Sequence, residues 1–322
     1  MIERLSGVCA GLRRRGALLA IAALPALLLA ACAPRQPYPL PPPSNIPFNQ
    51  GRIWQVEGAD IQTSYVFGTM HVDDKKVMEL PPAVETAFGA AQVVALEVAG
   101  DLDDWDKEAY RERLKLPEGQ TLEDLIGKRS FGILTWHMKR SMMRPKNNIK
   151  PWVFWQYMGG QSWGFIDYDY LEPSGHEMVL DAWLEHRAKN DGKRVAGLET
   201  GEEHFDIYDK IPLEQQVDLL KLTLDQYSDN KPHVPKLKLY LDGELGIFDA
   251  LWREYLSWLP PETAQTIDRR LIVDRNRIMV ERMLPLMRDE IAFVAVGAAH
   301  MAGEEGILNL LQQRGYTVTR LH

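Results

Sequence analysis

The chain has 322 residues, 45% hydrophobic and 25% charged, an ordinary globular composition that excludes collagenous, disordered and disulfide-stapled architectures. A formal charge of −8 speaks against a general nucleic-acid binder, whose affinity comes largely from a basic face laid on phosphates. Cys9 and Cys32, the two cysteines, are too few for a zinc finger, an iron-sulfur site or a disulfide framework, so any metal must use His, Asp and Glu.

Arg13, Arg14 and Arg15 precede an apolar run from Gly16 to Ala31, which together read as the basic and hydrophobic regions of a signal peptide over residues 1–31. The run is shorter than the roughly 20 residues a membrane-spanning helix needs. It ends Leu29-Ala30-Ala31-Cys32, which resembles a bacterial lipobox and predicts cleavage before Cys32 and acylation of its thiol. Plain secretory cleavage with Cys32 as a bystander is the alternative. Several acyl chains on one cysteine give stable membrane attachment, where a single chain is marginal. Residues 1–31 take a net charge of +3 with them, which moves the formal charge from −8 to −11 and nucleic acid further out of reach. Ala33 after the cysteine favours sorting to the outer membrane, so the expected location is the bacterial cell envelope, lipid-anchored and facing the periplasm.

Residues 32–50 hold the lipidated cysteine and seven prolines, a composition that favours an extended spacer. At about 3.1 Å per residue it reaches on the order of 50 Å. No such break recurs, and residues 51–322 read as one domain. Arg52 to Glu57 and Thr63 to Phe67, flanking Gly58-Ala59-Asp60, predict an antiparallel hairpin. The second strand runs into Gly68-Thr69-Met70-His71. A short helix from Pro81 to Ala91 follows, then the apolar strand Val93 to Val98. About 101–190 is a helical insertion, ending in a helix over 178–189 that Gly192 stops. Arg194 to Leu198 reads as another buried strand. Helices are expected over 213–228, 243–257 and 262–288. The last unit is strand Ile291 to Val296, Gly297-Ala298-Ala299-His300, helix Glu304 to Arg314 and strand Thr317 to Leu321. This predicts an α/β domain: a central, largely parallel or mixed sheet built from two strand-helix-strand units, with an N-terminal β-hairpin and a large helical insertion.

Both outer units place Gly-x-x-His at the carboxyl end of an apolar strand, the edge where ligands of such sheets bind. Glycine lets the backbone turn tightly, and a following helix N-terminus is expected to keep both imidazoles neutral, as a metal ligand or a general base requires. The motif alone is weak: 24 glycines and eight histidines give about 0.6 chance matches. A third match, Gly201-Glu202-Glu203-His204, opens a charged helix and receives no role. Two further strands end in Glu97 and Glu199, carboxylates that are costly to bury without a cation, a metal or a proton. His71, His300, Glu97 and Glu199 therefore suit a divalent ion, Zn, Mn or Co, and suit metal-free acid/base hydrolysis equally. Glu97 also reads as an arginine partner, Arg275 among the candidates, and Glu199 as a first-turn helix carboxylate. By default Arg275 is a solvated charge and Asp181 a surface position. The group Trp136, Met138, Met142, Met143, Trp152, Trp155, Tyr157 and Trp163 reads as core packing before a binding groove. Asp167-Tyr168-Asp169 within it has metal-like spacing but is commonly just a solvated loop.

Phe67-Gly68-Thr69-Met70-His71, Leu96-Glu97, Gly197-Leu198-Glu199-Thr200, Asp274-Arg275-Asn276 and Val296-Gly297-Ala298-Ala299-His300, followed by Gly303, Gly306 and Gly315-Tyr316, together resemble the TraB/GumN family, related to the Tiki proteases and pheromone-shutdown proteins. Lys150-Pro151-Trp152 and Leu180-Asp181-Ala182-Trp183-Leu184 resemble the middle of that family. The resemblance implies an α/β domain with paired Gly-x-x-His motifs at a metal site, and metal-dependent peptide hydrolysis for the Tiki branch. Asp274 and His204 depart from the family's commoner Glu and Gln. The expectation that results is a lipid-anchored hydrolase in which His71, His300 and Glu97 hold a divalent ion that activates water toward a peptide or a small amide or ester. Glu199 would serve as base or further ligand, and Arg275 would stabilise the oxyanion. A metal-free hydrolase with a histidine base and a non-enzymatic peptide-binding lipoprotein are the alternatives.

Overall fold

The hairpin is built as its alternation predicts. Strand β1 (Ile53–Glu57) pairs antiparallel with β2 (Ser64–Thr69), Ile53 opposite Phe67 and Val56 opposite Ser64. This computed structural model describes residues 45–72, 74–100, 107–140, 144–158, 179–228 and 234–322. The signal sequence, Cys32, most of the spacer, Met142, Met143, Trp163 and Asp167-Tyr168-Asp169 lie outside the described residues. All described residues but Val234 fall in one compact unit, 40–231 with 235–322. Residues 45–50, read as the end of the spacer, belong to that unit. Ile46 and Phe48 pack on its core, Pro47 O accepts from Gly303 N at 3.0 Å and Asn49 O from Gly246 N at 2.8 Å.

After β2 come α1 (Lys75–Met78), α2 (Pro82–Ala90), with proline where no N–H is needed, and β3 (Val93–Val98). Helices α3 (Lys107–Arg113), α4 (Leu122–Ile126), α5 (Lys128–Arg140), α6 (Pro151–Met158) and α7 (Leu180–Asn190) precede β4 (Arg194–Glu199). Gly192, at φ +71°, turns the chain between α7 and β4. Then follow α8 (Gly201–Asp209), α9 (Leu213–Ser228), α10 (Lys236–Leu241), α11 (Gly246–Ser257) and α12 (Pro261–Asp268). The helix expected over 262–288 is interrupted by a π-helical turn, Arg269–Val273, and resumes as α13 (Asp274–Asp289). The chain ends with β5 (Ala292–Gly297), a 3-10 turn (Ala298–His300), α14 (Ile307–Gln313) and β6 (Thr317–Arg320).

The six strands form one mixed sheet in the order β4-β3-β5-β2-β1-β6, with β4, β3, β5 and β2 mutually parallel and β1 antiparallel to both its neighbours. The two Gly-x-x-His strands, β2 and β5, lie side by side although more than 220 residues apart, with Thr69 opposite Gly297. The reading of residues 194–198 as a buried strand is corrected: β4 forms one edge of the sheet, and its first four residues are exposed or half-buried.

A buried cluster surrounds the sheet. Phe293 at its centre meets Phe67 at 5.8 Å and Phe88 edge-on at 5.4 Å between ring centroids. Each such buried phenyl is worth about 1.5–3 kcal/mol. A second cluster is built mainly from helices, with Leu134, Trp152 and Phe154 packed among Phe205, Leu220 and Ile267. Helices α8, α9 and α12 thus share a core with the insertion expected at 101–190. Met138 and Trp152 of the aromatic and methionine group are core residues, as read, while Trp136 is 55% exposed.

Candidate active site

Because β4, β3, β5 and β2 are parallel neighbours, their carboxyl ends share one edge and deliver, in lateral order, Glu199, Glu97, Gly297 leading to His300, and Thr69 leading to His71. Gly297 marks where they meet. A Cβ built on it would stand 3.0 Å from Glu97 Oε1, 3.6 Å from His300 Cδ2 and 3.8 Å from His71 Cε1. Both motif histidines and Glu97 therefore border one space that only glycine leaves open.

Arg275 reaches this space from α13. Its buried positions run 275/276, 279/280, 283/284 and 287, a stripe that is Met, Val and Leu except in its first turn, where it is Arg275 and Asn276. Buried polar groups need partners, and Arg275 has one for every N–H. Nε donates to Glu199 Oε1 at 2.8 Å, and Nη2 donates to Glu97 Oε2 at 2.6 Å and Glu199 Oε2 at 2.9 Å. Nη1 donates to His300 Nε2 at 3.1 Å and to the Leu271 carbonyl, in the π-helical turn, at 3.4 Å. Burial works against all three charges, yet the ion pairs prevail. Arg275 is raised, while its guanidinium holds Glu97 and Glu199 below the usual carboxylate range. Gly297 N–H, 2.6 Å from Glu97 Oε1, adds to this.

His300 is 5% exposed, and burial followed by the Arg275 charge pushes it down to about 4, so the ring is neutral at pH 7. Its Nδ1 lies 2.6 Å from Asn276 Oδ1. His71 behaves oppositely. Burial would lower it, but Asp181, whose Oδ2 lies 3.2 Å from His71 Nε2, raises it. The expectation that helix N-termini keep both rings neutral is thus corrected: burial and Arg275 set His300, and a carboxylate sets His71. Asp181 also accepts from Thr69 Oγ1 at 2.8 Å, which makes it a site residue and not the surface position expected. His71 is the site's most open member, with 22% of its side chain exposed against 6% or less for Glu97, Glu199, Arg275 and His300.

Glu199 ends β4, and the first-turn role considered for it falls to its neighbours. Thr200 caps α8 through a capping box with Glu203. His204, to which no role was given, is 1% exposed, with Nδ1 3.2 Å from Glu199 Oε2, and burial lowers its pKa. The oxyanion role expected of Arg275 is corrected as well. All five of its N–H bonds point at protein acceptors, so in this arrangement it binds the site's carboxylates together and has no donor left for a substrate. Asp181 and His204 were considered in the sequence and given no role, and Asn276 was noted only within Asp274-Arg275-Asn276. The backward extension of the α13 stripe by one turn was the signal that could have found Asn276.

The residues fit a divalent ion. Among the described residues, one ligand atom each from Glu97, Glu199 and His204 lie within 4.8 Å of one another, all three residues buried. Carboxylate oxygen with imidazole nitrogen suits Zn, Mn or Co. Two carboxylates against one guanidinium and two neutral rings leave a net charge of about −1 in a buried place, which favours a further cation.

The fold is a mixed α/β sheet whose adjacent strand ends gather two histidines and two glutamates around an arginine buried from α13, a cluster of titratable groups at its carboxyl edge. The chain belongs to the TraB/PrgY/gumN family, whose model matches residues 52–320. Its relatives include "Metalloprotease TIKI2" of Xenopus tropicalis, 27% identical over 79% of this chain and 57% of that protein. "Metalloprotease TIKI1" of Homo sapiens is 26% identical over 79% and 59%, and "Metalloprotease TIKI homolog" of Amphimedon queenslandica 23% identical over 86% and 63%. The chain therefore spans about three fifths of the length of these relatives. No solved structure matches.

Proposed function

We propose that the protein is a metal-dependent hydrolase acting on a peptide or a small amide or ester, held to the cell envelope by lipid on Cys32. The observation that carries the reading is the buried, net-negative cluster of Glu97, Glu199, Arg275, His300 and His204 at the sheet edge. The names of the relatives support it. His71, His300 and Glu97 would hold the ion, with Glu199 and His204, whose ligand atoms gather with that of Glu97, as further donors. When bound, the ion supplies Lewis acidity toward a carbonyl and lowers the pKa of a water. Arg275 fixes the two carboxylates and keeps them ionised. Without an ion, His71, solvent-accessible and backed by Asp181, is the group placed to exchange a proton with substrate.

A second reading, metal-free hydrolysis with His71 as base, is favoured by one observation: Arg275 already satisfies both carboxylates and His300 Nε2. Metal content by elemental mass spectrometry separates the two. Protein beginning at Ala33 is expected to carry near-stoichiometric Zn, Mn or Co, and folded His71→Ala/His300→Ala protein to carry none. Absence of metal after reconstitution with each ion would sink the first reading and leave the second. For the anchor, Cys32→Ser is expected to move the protein from the membrane to the soluble fraction. A variant that stays membrane-bound would refute lipidation at that residue. Among the described residues no helix is long and apolar enough to cross a membrane.

A further inference from the structure

His300 stands in a chain of hydrogen bonds whose direction is fixed at both ends. A guanidinium can only donate, so His300 Nε2, 3.1 Å from Arg275 Nη1, must accept. A backbone carbonyl can only accept, so the end of Asn276 that lies 2.7 Å from the Glu305 carbonyl must be its NH2 group. Asn276 Oδ1 is then the atom that faces His300 Nδ1 at 2.6 Å, and Nδ1 must carry the proton. Every bond runs the same way, from Arg275 through His300 and Asn276 to the Glu305 carbonyl, the arrangement in which neighbouring bonds polarise one another favourably. Asn276 has no exposed surface, so water cannot replace either of its bonds.

We propose that Asn276 is a positioning residue that locks His300 in the Nδ1–H tautomer and turns the Nε2 lone pair toward Arg275. Its bearing on catalysis rests on the hydrolase reading, but the tautomer itself does not, because both fixed ends of the chain belong to the protein. The same geometry spends the Nε2 lone pair on Arg275, so His300 presents that nitrogen to the site as an acceptor and not as a proton donor. Asn276 holds that nitrogen in place from one α13 position beyond Arg275, and through Glu305 it ties the helix to the loop that follows the second Gly-x-x-His motif.

The test is a long-range proton–nitrogen correlation spectrum of full-length, chelator-treated protein labelled with nitrogen-15 histidine, in which His300 is assigned by its loss in His300→Gln. The expected wild-type pattern is a protonated, pyrrole-type Nδ1 and an unprotonated, pyridine-type Nε2. A proton on Nε2, or two averaged nitrogens, would overturn the proposal without any Asn276 variant. Asn276→Asp keeps an acceptor for Nδ1–H and is expected to retain the pattern. Asn276→Leu leaves a buried Nδ1–H unpaired and the Arg275 bond alone to hold the ring, and is expected to show exchanging tautomers while remaining folded by circular dichroism. An unchanged His300 pattern in folded Asn276→Leu would also overturn the positioning role. Absence of metal from wild-type protein defeats the metal reading and leaves this result standing, so the two fail separately.

Discussion

Arg275 spends five N–H bonds on four groups, so shortening it orphans more than one partner. In Arg275→Ala, Glu97 and Glu199 would face each other in a buried site with no cation between them, and one of them would have to take up a proton. Removing one partner of a buried ion pair costs about 3–5 kcal/mol. Urea unfolding of metal-free Arg275→Ala near pH 7 is expected to show a loss of that size. Arg275→Lys is expected to recover only part of it, since a lysine has three donors and no fork to span two carboxylates. A loss below about 1 kcal/mol would mean that solvent reaches the cluster and that its burial counts for little. The same residue shows where sequence reasoning stops. Its identity as a partner of Glu97 was open to a charge argument. Its burial became visible only with α13 laid on the sheet, because one arginine on a 3.6-residue period reads as a solvated face unless the stripe behind it is followed to its end.

At the scale of elements, the strands β3 and β5 were legible because each is a continuous apolar run, as a strand covered on both faces must be, and β2 because a turn sets it against β1. Their neighbours were not. Nothing local tells β2 that it will lie beside β5, and the edge place of β4 follows only from which strands are left to flank it. The π-helical turn Arg269–Val273 was hidden too, since the apolar period reads through it, yet it supplies the Leu271 carbonyl that Arg275 reaches. Gly297 tests the strand-end geometry directly. Its φ of −52° suits any residue, so the effect of Gly297→Ala must come from crowding and not from backbone strain. The new methyl would stand 3.0 Å from Glu97 Oε1, an oxygen that cannot retreat easily while Gly297 N and Arg275 hold the carboxylate. Overpacking of this kind costs about 1–3 kcal/mol. Thermal unfolding should show a loss in that range, with metal retention or turnover falling further than stability does. Full retention of both would show that the space between the motif histidines is wider than this geometry allows.

For the whole molecule the site makes stability depend on pH with a sign that can be worked out. His300 titrates near the usual 6.5 in the unfolded chain and at about 4 when folded. Between those values the unfolded state holds a proton that the folded state lacks, so stability is greatest above 6.5 and falls as pH drops toward 4. The limiting slope is about 1.4 kcal/mol per pH unit, which over this window is a loss on the order of 3 kcal/mol. His204, also lowered, adds loss of the same sign; His71, raised by Asp181, acts in a different window, its stabilisation being lost as pH rises above 6.5 and constant below it. Glu97 and Glu199 enter later. Their folded values lie below the carboxylate range, so the stability they contribute is intact above it and goes only as pH falls through it and beyond. Acid sensitivity should therefore begin on the histidine side, well before the carboxylates take up protons. Urea unfolding of chelator-treated protein at about pH 7, 5.5 and 4.5 checks this: the wild-type decline is expected to flatten by close to one proton in His300→Gln. Equal slopes in the two proteins would mean that His300 is as easily protonated in the fold as outside it. That outcome would contradict both its burial and the Arg275 bond to its Nε2.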